Sequence, residues 1–180
     1  MILIVSTCKY SLSEEEFVRP IVEIVRECGF DYCVRRYYER ISAEEHSKII
    51  ICGTALRDLD YLNYTDNFTQ LTDYDGQILG ICAGYQILAK IYSNTLERIK
   101  KIGVYNVKIT KDNPLIKKEE ARAYFLHTYA LRKTNEDLES LAVQDDEVSI
   151  FKVKGKQFYG VSFHPEVLNR EIIANFLYLE

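Results

Sequence analysis

Ile78-Leu79-Gly80-Ile81-Cys82-Ala83-Gly84-Tyr85-Gln86 is the stretch on which the reading of the chain turns. Ile78 to Ile81 is an apolar run of strand length. Ala83 to Tyr92 carries Ile87, Leu88 and Ile91 at helical spacing. Cys82 falls at the junction, with a glycine two residues to either side. This is the cysteine counterpart of the G-x-S-x-G nucleophile elbow. A strand that turns at once into a helix brings the two flanking backbones together, and glycine at both flanks removes the Cβ atoms that would collide. The thiol then projects above the sheet edge, where the helix N-terminus favours a thiolate. The N–H of Ala83 points at any oxyanion that forms beside the sulfur.

Outward from the elbow, apolar strands alternate with helical patterns. Ile2 to Val5, Asp31 to Tyr38 and Lys48 to Cys52 read as buried strands. Ser13 as N-cap and Glu16 as its capping-box partner predict a helix from Ser13 to about Cys28, stopped by Gly29, with Pro20 a point where it can kink. Residues 53–76 form a long polar connection in which Asn67 to Thr72 has helical character. Gly103 to Thr110, Ala121 to Leu126, Leu141 to Gln144, Val148 to Val153 and Gln157 to Phe163 read as strands, and Arg170 to Leu179 as a closing amphipathic helix. The pattern predicts an α/β domain built on a parallel sheet covered on both faces. No linker or repeat divides it, so residues 1–180 read as one domain.

The chain has 180 residues, with 47% apolar and 28% charged side chains, ordinary values for a globular domain. A net charge of −4 argues against a general nucleic-acid or anionic-membrane surface. No apolar run reaches the length of a membrane span, and Met1 to Val5 lacks the basic flank of a signal segment. Cys8, Cys28, Cys33, Cys52 and Cys82 are odd in number and form no C-x-x-C pair. They predict free thiols in a reducing cytoplasm, without a disulfide framework or zinc site.

A thiol nucleophile needs a base. His46 lies in a charged stretch and reads as solvated. His127 ends a strand and enters a loop. His164 follows an apolar strand in Phe163-His164-Pro165-Glu166. In an extended segment residues 164 and 166 project to the same side, so Glu166 can hold one ring nitrogen and leave the other for the thiol.

Gly80-Ile81-Cys82-Ala83-Gly84-Tyr85-Gln86 followed by Phe163-His164-Pro165-Glu166-Val167 resembles the class I, or triad, glutamine amidotransferases over essentially the whole chain. Within that family the segment Ile102-Gly103-Val104 to Leu115 and the strand Phe158 to Val167 are most similar to glutaminase subunits of GMP synthase. The resemblance implies a flavodoxin-like three-layer sandwich with a central, mostly parallel sheet. It implies a Cys82-His164-Glu166 triad that hydrolyses glutamine through a γ-glutamyl thioester, with no metal and no organic cofactor. Gly53 and Ala83 would supply the oxyanion-hole N–H groups. Gln86, His127, Thr128 and Tyr129 would contact the bound glutamine. The ammonia would pass to a separate ATP-dependent synthetase, since neither a P-loop nor a fused ATP-using domain is present in the sequence; residues 53–76 and 127–135 would form the docking face.

Four positions depart from the family pattern. Cys52-Gly53-Thr54 stands where Gly-Gly-Pro is usual. Lys101 replaces a common Glu, Leu126 a Ser, and Ser162 a Gln. These keep other readings open: a glutaminase of another pathway, a γ-glutamyl hydrolase acting alone, or a non-catalytic regulatory subunit with an altered oxyanion strand. A flavin binder is disfavoured because Ser6 to Tyr10 is not a glycine-rich phosphate loop.

Overall fold

Ile2 and Ile4 pack into one apolar layer, Leu3 and Val5 into another, and this alternation sets the architecture. The computed structural model describes residues 1–180. In chain order, β1 (Ile2–Ser6) leads to α1 (Ser11–Phe17), α2 (Arg19–Glu27), β2 (Tyr32–Arg36) and β3 (Lys48–Ile51). Tight 3₁₀ turns cover Asp60–Asp73 before β4 (Gln77–Ile81) and α3 (Ala83–Ile91). Five strands follow: β5 (Glu97–Ile109), β6 (Glu120–Ala130), β7 (Leu138–Gln144), β8 (Glu147–Val153) and β9 (Gln157–Val161). The short α4 (Pro165–Leu168) and α5 (Arg170–Leu177) close the chain.

The nine strands form one sheet in the order β2-β1-β3-β4-β9-β8-β7-β5-β6. The first five are parallel, and β9 begins an antiparallel half that runs out to β6. Ile49, Ile50 and Ile51 have no exposed surface, as expected of a parallel strand covered on both faces. Each such side chain contributes about 1.5–3 kcal/mol of apolar burial. Phe17, Ile21, Val25, Ile172 and Phe176 cover one face of the sheet. Phe68, Leu71, Ile87 and Leu88 cover the other. The three-layer reading therefore holds. Because β3, β4 and β9 are neighbours, the segments leaving their C-terminal ends (Gly53, Cys82 and His164) emerge side by side.

Several boundaries differ from the sequence reading. The predicted helix from Ser13 is two helices. The first starts at Ser11 with no side-chain cap, so neither Ser13 nor Glu16 plays the capping role assigned to it. The chain breaks at Val18 and restarts with Pro20 in the first turn of α2. Proline has no N–H for the preceding turn and its ring crowds the carbonyl four residues back, but it is at home in a first turn. β5 begins six residues earlier than expected, at Glu97, and β6 runs on through Ala130. The two strands stay paired past a bulge between Arg98 and Lys101. His127 is consequently an interior strand residue and not the start of a loop. His46 is half-buried, with Nε2 3.8 Å from Cys33 Sγ, so it is not a freely solvated side chain. All five cysteines are free, and no helix is long and apolar enough to cross a membrane.

Candidate active site

Cys82 sits between β4 and α3 at φ +49° and ψ −95°, a backbone conformation that side chains rarely adopt. The flanking glycines make the turn possible. A Cβ on Gly80 would lie 2.5 Å from the Gly84 backbone, and one on Gly84 would lie 2.3 Å from the Ile51 carbonyl oxygen. The Cys82 N–H donates to the Val161 carbonyl at 2.8 Å, which joins the elbow to the strand leading to His164. Its Sγ lies 3.5 Å from the Leu126 carbonyl.

His164 and Glu166 are held by a turn and not by the extended segment expected from sequence. His164 is extended, but Pro165 opens α4, which turns Glu166 back on the ring. His164 Nδ1 is 2.7 Å from Glu166 Oε1, and both side chains are almost wholly buried. The His164 N–H donates to the Tyr124 carbonyl at 2.8 Å, and the ring packs on Phe17 and Tyr124. Nε2 is buried without another protein partner and is the nitrogen left for the thiol. Burial works against the imidazolium. Negative charge on Cys82 and Glu166 outweighs it and holds His164 well above its ordinary value.

Gly53 closes the third side. A Cβ there would lie 2.6 Å from His164 Cε1 and 3.2 Å from Cys82 Cβ, so the Gly53 backbone rests against both side chains. Its N–H makes no intramolecular backbone bond. Ala83 opens α3, so its N–H has no intrahelical partner either. The departure at Cys52-Gly53-Thr54 is accommodated by a local network. The Thr7 hydroxyl donates to the Cys52 and Gly53 carbonyls at 3.0 and 3.1 Å, and the Thr54 hydroxyl donates to Asp58 at 2.9 Å.

The four residues expected to contact substrate are placed differently from one another. Gln86 lines the crevice beside Cys82, with its carboxamide engaged: Tyr61 OH donates to Oε1 at 2.6 Å, and Nε2 donates to the Tyr129 carbonyl at 2.9 Å. Thr128 also borders the crevice, and its hydroxyl donates to the Leu56 carbonyl at 3.2 Å. Tyr129 offers its carbonyl to Gln86. The His127 ring turns into the core, where Nε2 is 3.1 Å from Glu147 Oε1. Sequence reasoning misses Tyr61. Burial, then the nearby Cys82 charge, push its phenol well above its ordinary value, so it stays a neutral donor. Only its position in a Tyr-rich connection hints at a role.

The crevice has a volume of about 10 Å³, room for one water. A larger hollow of about 460 Å³ lies at the opposite end of the parallel strands, around His46, Asp73 and Gly76, away from the triad.

A family model described as "Glutamine amidotransferase class-I" matches residues 13–179. The chain belongs to that family. As a class I glutamine amidotransferase it is 37% identical over 108 residues to a glutamine-hydrolyzing GMP synthase subunit of Methanocaldococcus jannaschii. That match covers 55% of this chain and 57% of the relative. It is 32% identical to the glutamine-hydrolyzing GMP synthase of Caldicellulosiruptor saccharolyticus over 91% of this chain, but over 34% of that protein. The amidotransferase chain thus spans little more than half of the first relative and a third of the second. Its fold superposes on a Thermoplasma acidophilum protein described as a GMP synthase subunit, with a TM-score of 0.82 at 21% identity, covering 98% and 92% of the two chains. A glutamine amidotransferase of Thermotoga maritima gives 0.72 at 18% identity, covering 92% of this chain and 76% of that one.

Proposed function

We infer that this chain is a single class I amidotransferase domain, residues 1–180, that hydrolyses glutamine to glutamate and ammonia and passes the ammonia to a separate ATP-dependent synthetase that makes GMP. The observation that carries the reading is the approach of three segments to one point. Gly53 and the His164–Glu166 pair meet at the strained Cys82, which also borders a crevice lined by Gln86, Tyr61 and Thr128.

In the mechanism, His164 takes the Cys82 proton, or already holds it as an ion pair, and the thiolate attacks the side-chain amide carbon. The N–H groups of Ala83 and Gly53 receive the developing oxyanion; losing one such donor typically costs about 3–4 kcal/mol of barrier. His164 then protonates the departing ammonia, leaving a γ-glutamyl thioester. Water, deprotonated by the same imidazole, releases glutamate and restores the thiol. Glu166 orients the ring and stabilises the imidazolium. Glutamine is far larger than one water, so the crevice beside Cys82 must widen to admit it.

Neutral ammonia is protonated in water at pH 7, which favours direct transfer to a docked synthetase. The names of the relatives support GMP as the product of that partner. The docking face of this reading extends beyond residues 53–76 and 127–135. Ile102 and Val104 lie opposite Leu126 and Tyr124 on one face of the sheet, and Val167 and Leu168 follow the triad. All four of these apolar side chains, Ile102, Val104, Val167 and Leu168, are exposed. Five free thiols suit a reducing cytoplasm.

Ammonia release from glutamine by the purified chain, with and without a GMP-forming synthetase, tests the proposal. Turnover that disappears in Cys82→Ala supports it. Equal turnover in that variant would sink it. The non-catalytic reading gains nothing from the oxyanion strand, because Gly53 lies against the triad despite its altered neighbours.

A further inference from the structure

Three of the four departures from the family pattern lie around one buried carboxylate. Glu147, the first residue of β8, has no exposed surface. Its Oε2 is 2.7 Å from Lys101 Nζ on β5, and its Oε1 is 3.1 Å from His127 Nε2 on β6. The Ser162 hydroxyl, just past β9, donates to the same Oε1 at 2.7 Å. Lys101 also bonds Gln144 and lies over the Tyr105 and Phe125 rings. Lys101 and Ser162 are two of the departures. Leu126, the third, adjoins His127 and points its carbonyl at Cys82 Sγ. Only Phe163 separates Ser162 from His164, and the Ser162 N–H itself donates to the Ser149 carbonyl.

The knot joins the segment carrying the base to the strand whose carbonyl faces the nucleophile. A buried carboxylate that accepts a hydrogen bond from Ser162 and lies within ion-pair distance of Lys101 and His127 ties three other segments into one relative position, and removing its charge strands the partners. We propose that Glu147, paired with Lys101, His127 and Ser162, is a positioning residue for the Cys82–His164 pair. It sets the distance between the His164 ring and the thiol. The set functions as a unit, since the residues at the departed positions 101 and 162 both contact Glu147. The inference rests on the thiol–imidazole chemistry proposed above, but it does not need glutamine as the substrate.

The test therefore has two readouts. The first is the rate at which iodoacetamide alkylates Cys82, followed by peptide mass mapping so that Cys28 and Cys33 are counted separately. The second is kcat and KM for glutamine hydrolysis. Glu147→Gln should slow Cys82 alkylation about tenfold or more and lower kcat by a similar factor, with KM changed less than about twofold. Lys101→Met combined with Glu147→Gln removes both charges together and should recover most of the alkylation rate. Asn113→Ala is the control for plain destabilisation. It removes the buried side-chain oxygen that accepts from the Leu115 and Ile116 N–H groups in the turn between β5 and β6, away from the knot and the elbow, and it should leave alkylation at the wild-type rate. If Glu147→Gln proves unfolded, the double variant and Ser162→Ala are measured instead. Ser162→Ala should then slow alkylation about threefold or more, with the double variant close to wild type. Unchanged alkylation in Glu147→Gln overturns the inference. So does equal slowing in Asn113→Ala, or a wild-type Cys82 that resists alkylation. Normal alkylation chemistry without ammonia release would instead count against glutamine as the substrate and leave the positioning role standing.

Discussion

Gly53 lies where a single methyl group decides between an oxyanion hole and a collision. Its missing Cβ would fall 2.6 Å from His164 Cε1, and the atom it would meet belongs to a ring held on both faces and by Glu166. Gly53→Ala is expected to lower kcat for glutamine by about 10²–10³-fold, the size of a lost oxyanion donor, because the ring or the N–H must shift. Steady-state ammonia release measures this; a variant within about twofold of wild type would remove Gly53 from the mechanism. Glu166→Gln should leave a measurable fraction of turnover, since the carboxamide still orients Nδ1 but no longer stabilises the imidazolium. The residues of the proposed triad are legible in sequence because each signal is local: a glycine two positions from the thiol, and a carboxylate two positions from the histidine. Tyr61 and Glu147 are not legible. Their roles come from partners 25 and 15 or more residues away, and no spacing rule announces such contacts.

At the level of elements, the elbow and the Glu147 knot are the places where strands are locked together. Gly84→Ala would set a Cβ 2.3 Å from the Ile51 carbonyl, a backbone atom that cannot swing aside. The expected result is a loss of stability of about 2–5 kcal/mol, seen as a lower midpoint in urea, or failure to fold. Glu147 gives a pH signature. Burial alone would raise its carboxyl, but His127, Lys101 and Ser162 outweigh burial and hold it below 4.5. A carboxylate lowered in the folded state contributes stability above its unfolded value and loses it as pH falls through its folded value. The stability gap between wild type and Glu147→Gln should therefore be full at pH 7, about 3–5 kcal/mol, and narrow below about pH 4.5. A gap that widens in acid would contradict the assignment. Strand and helix identities can be read from periodicity, while their ends cannot. β6 continues through Ala130 because β5 keeps pairing with it, and the N-terminal helix breaks because Pro20 cannot continue the turn begun at Ser11.

For the molecule as a whole, the parallel half brings together Cys82, His164 and Gly53, the proposed nucleophile, base and oxyanion donor, from the ends of three adjacent strands. The antiparallel half supplies the wall against which they are set. That division places exposed Ile102, Val104, Val167 and Leu168 beside the triad but outside it. Replacing Val104 and Leu168 with lysine should abolish stimulation by a synthetase partner while leaving the basal hydrolysis of the free chain within about twofold. Titration of the partner against ammonia release checks this, and undiminished stimulation would move the docking face elsewhere.

The backbone at Cys82 has a consequence for how this protein can change over generations. At φ +49° and ψ −95° a thiol-bearing residue is strained by about 1–3 kcal/mol, and glycine would not be. Cys82→Gly should melt higher than wild type. Drift unopposed by selection for the reaction would therefore erode the nucleophile first, and the erosion would make a sturdier, inert protein. On stability alone glycine would suit that position better, so the cysteine there is accounted for by its thiol and not by the fold.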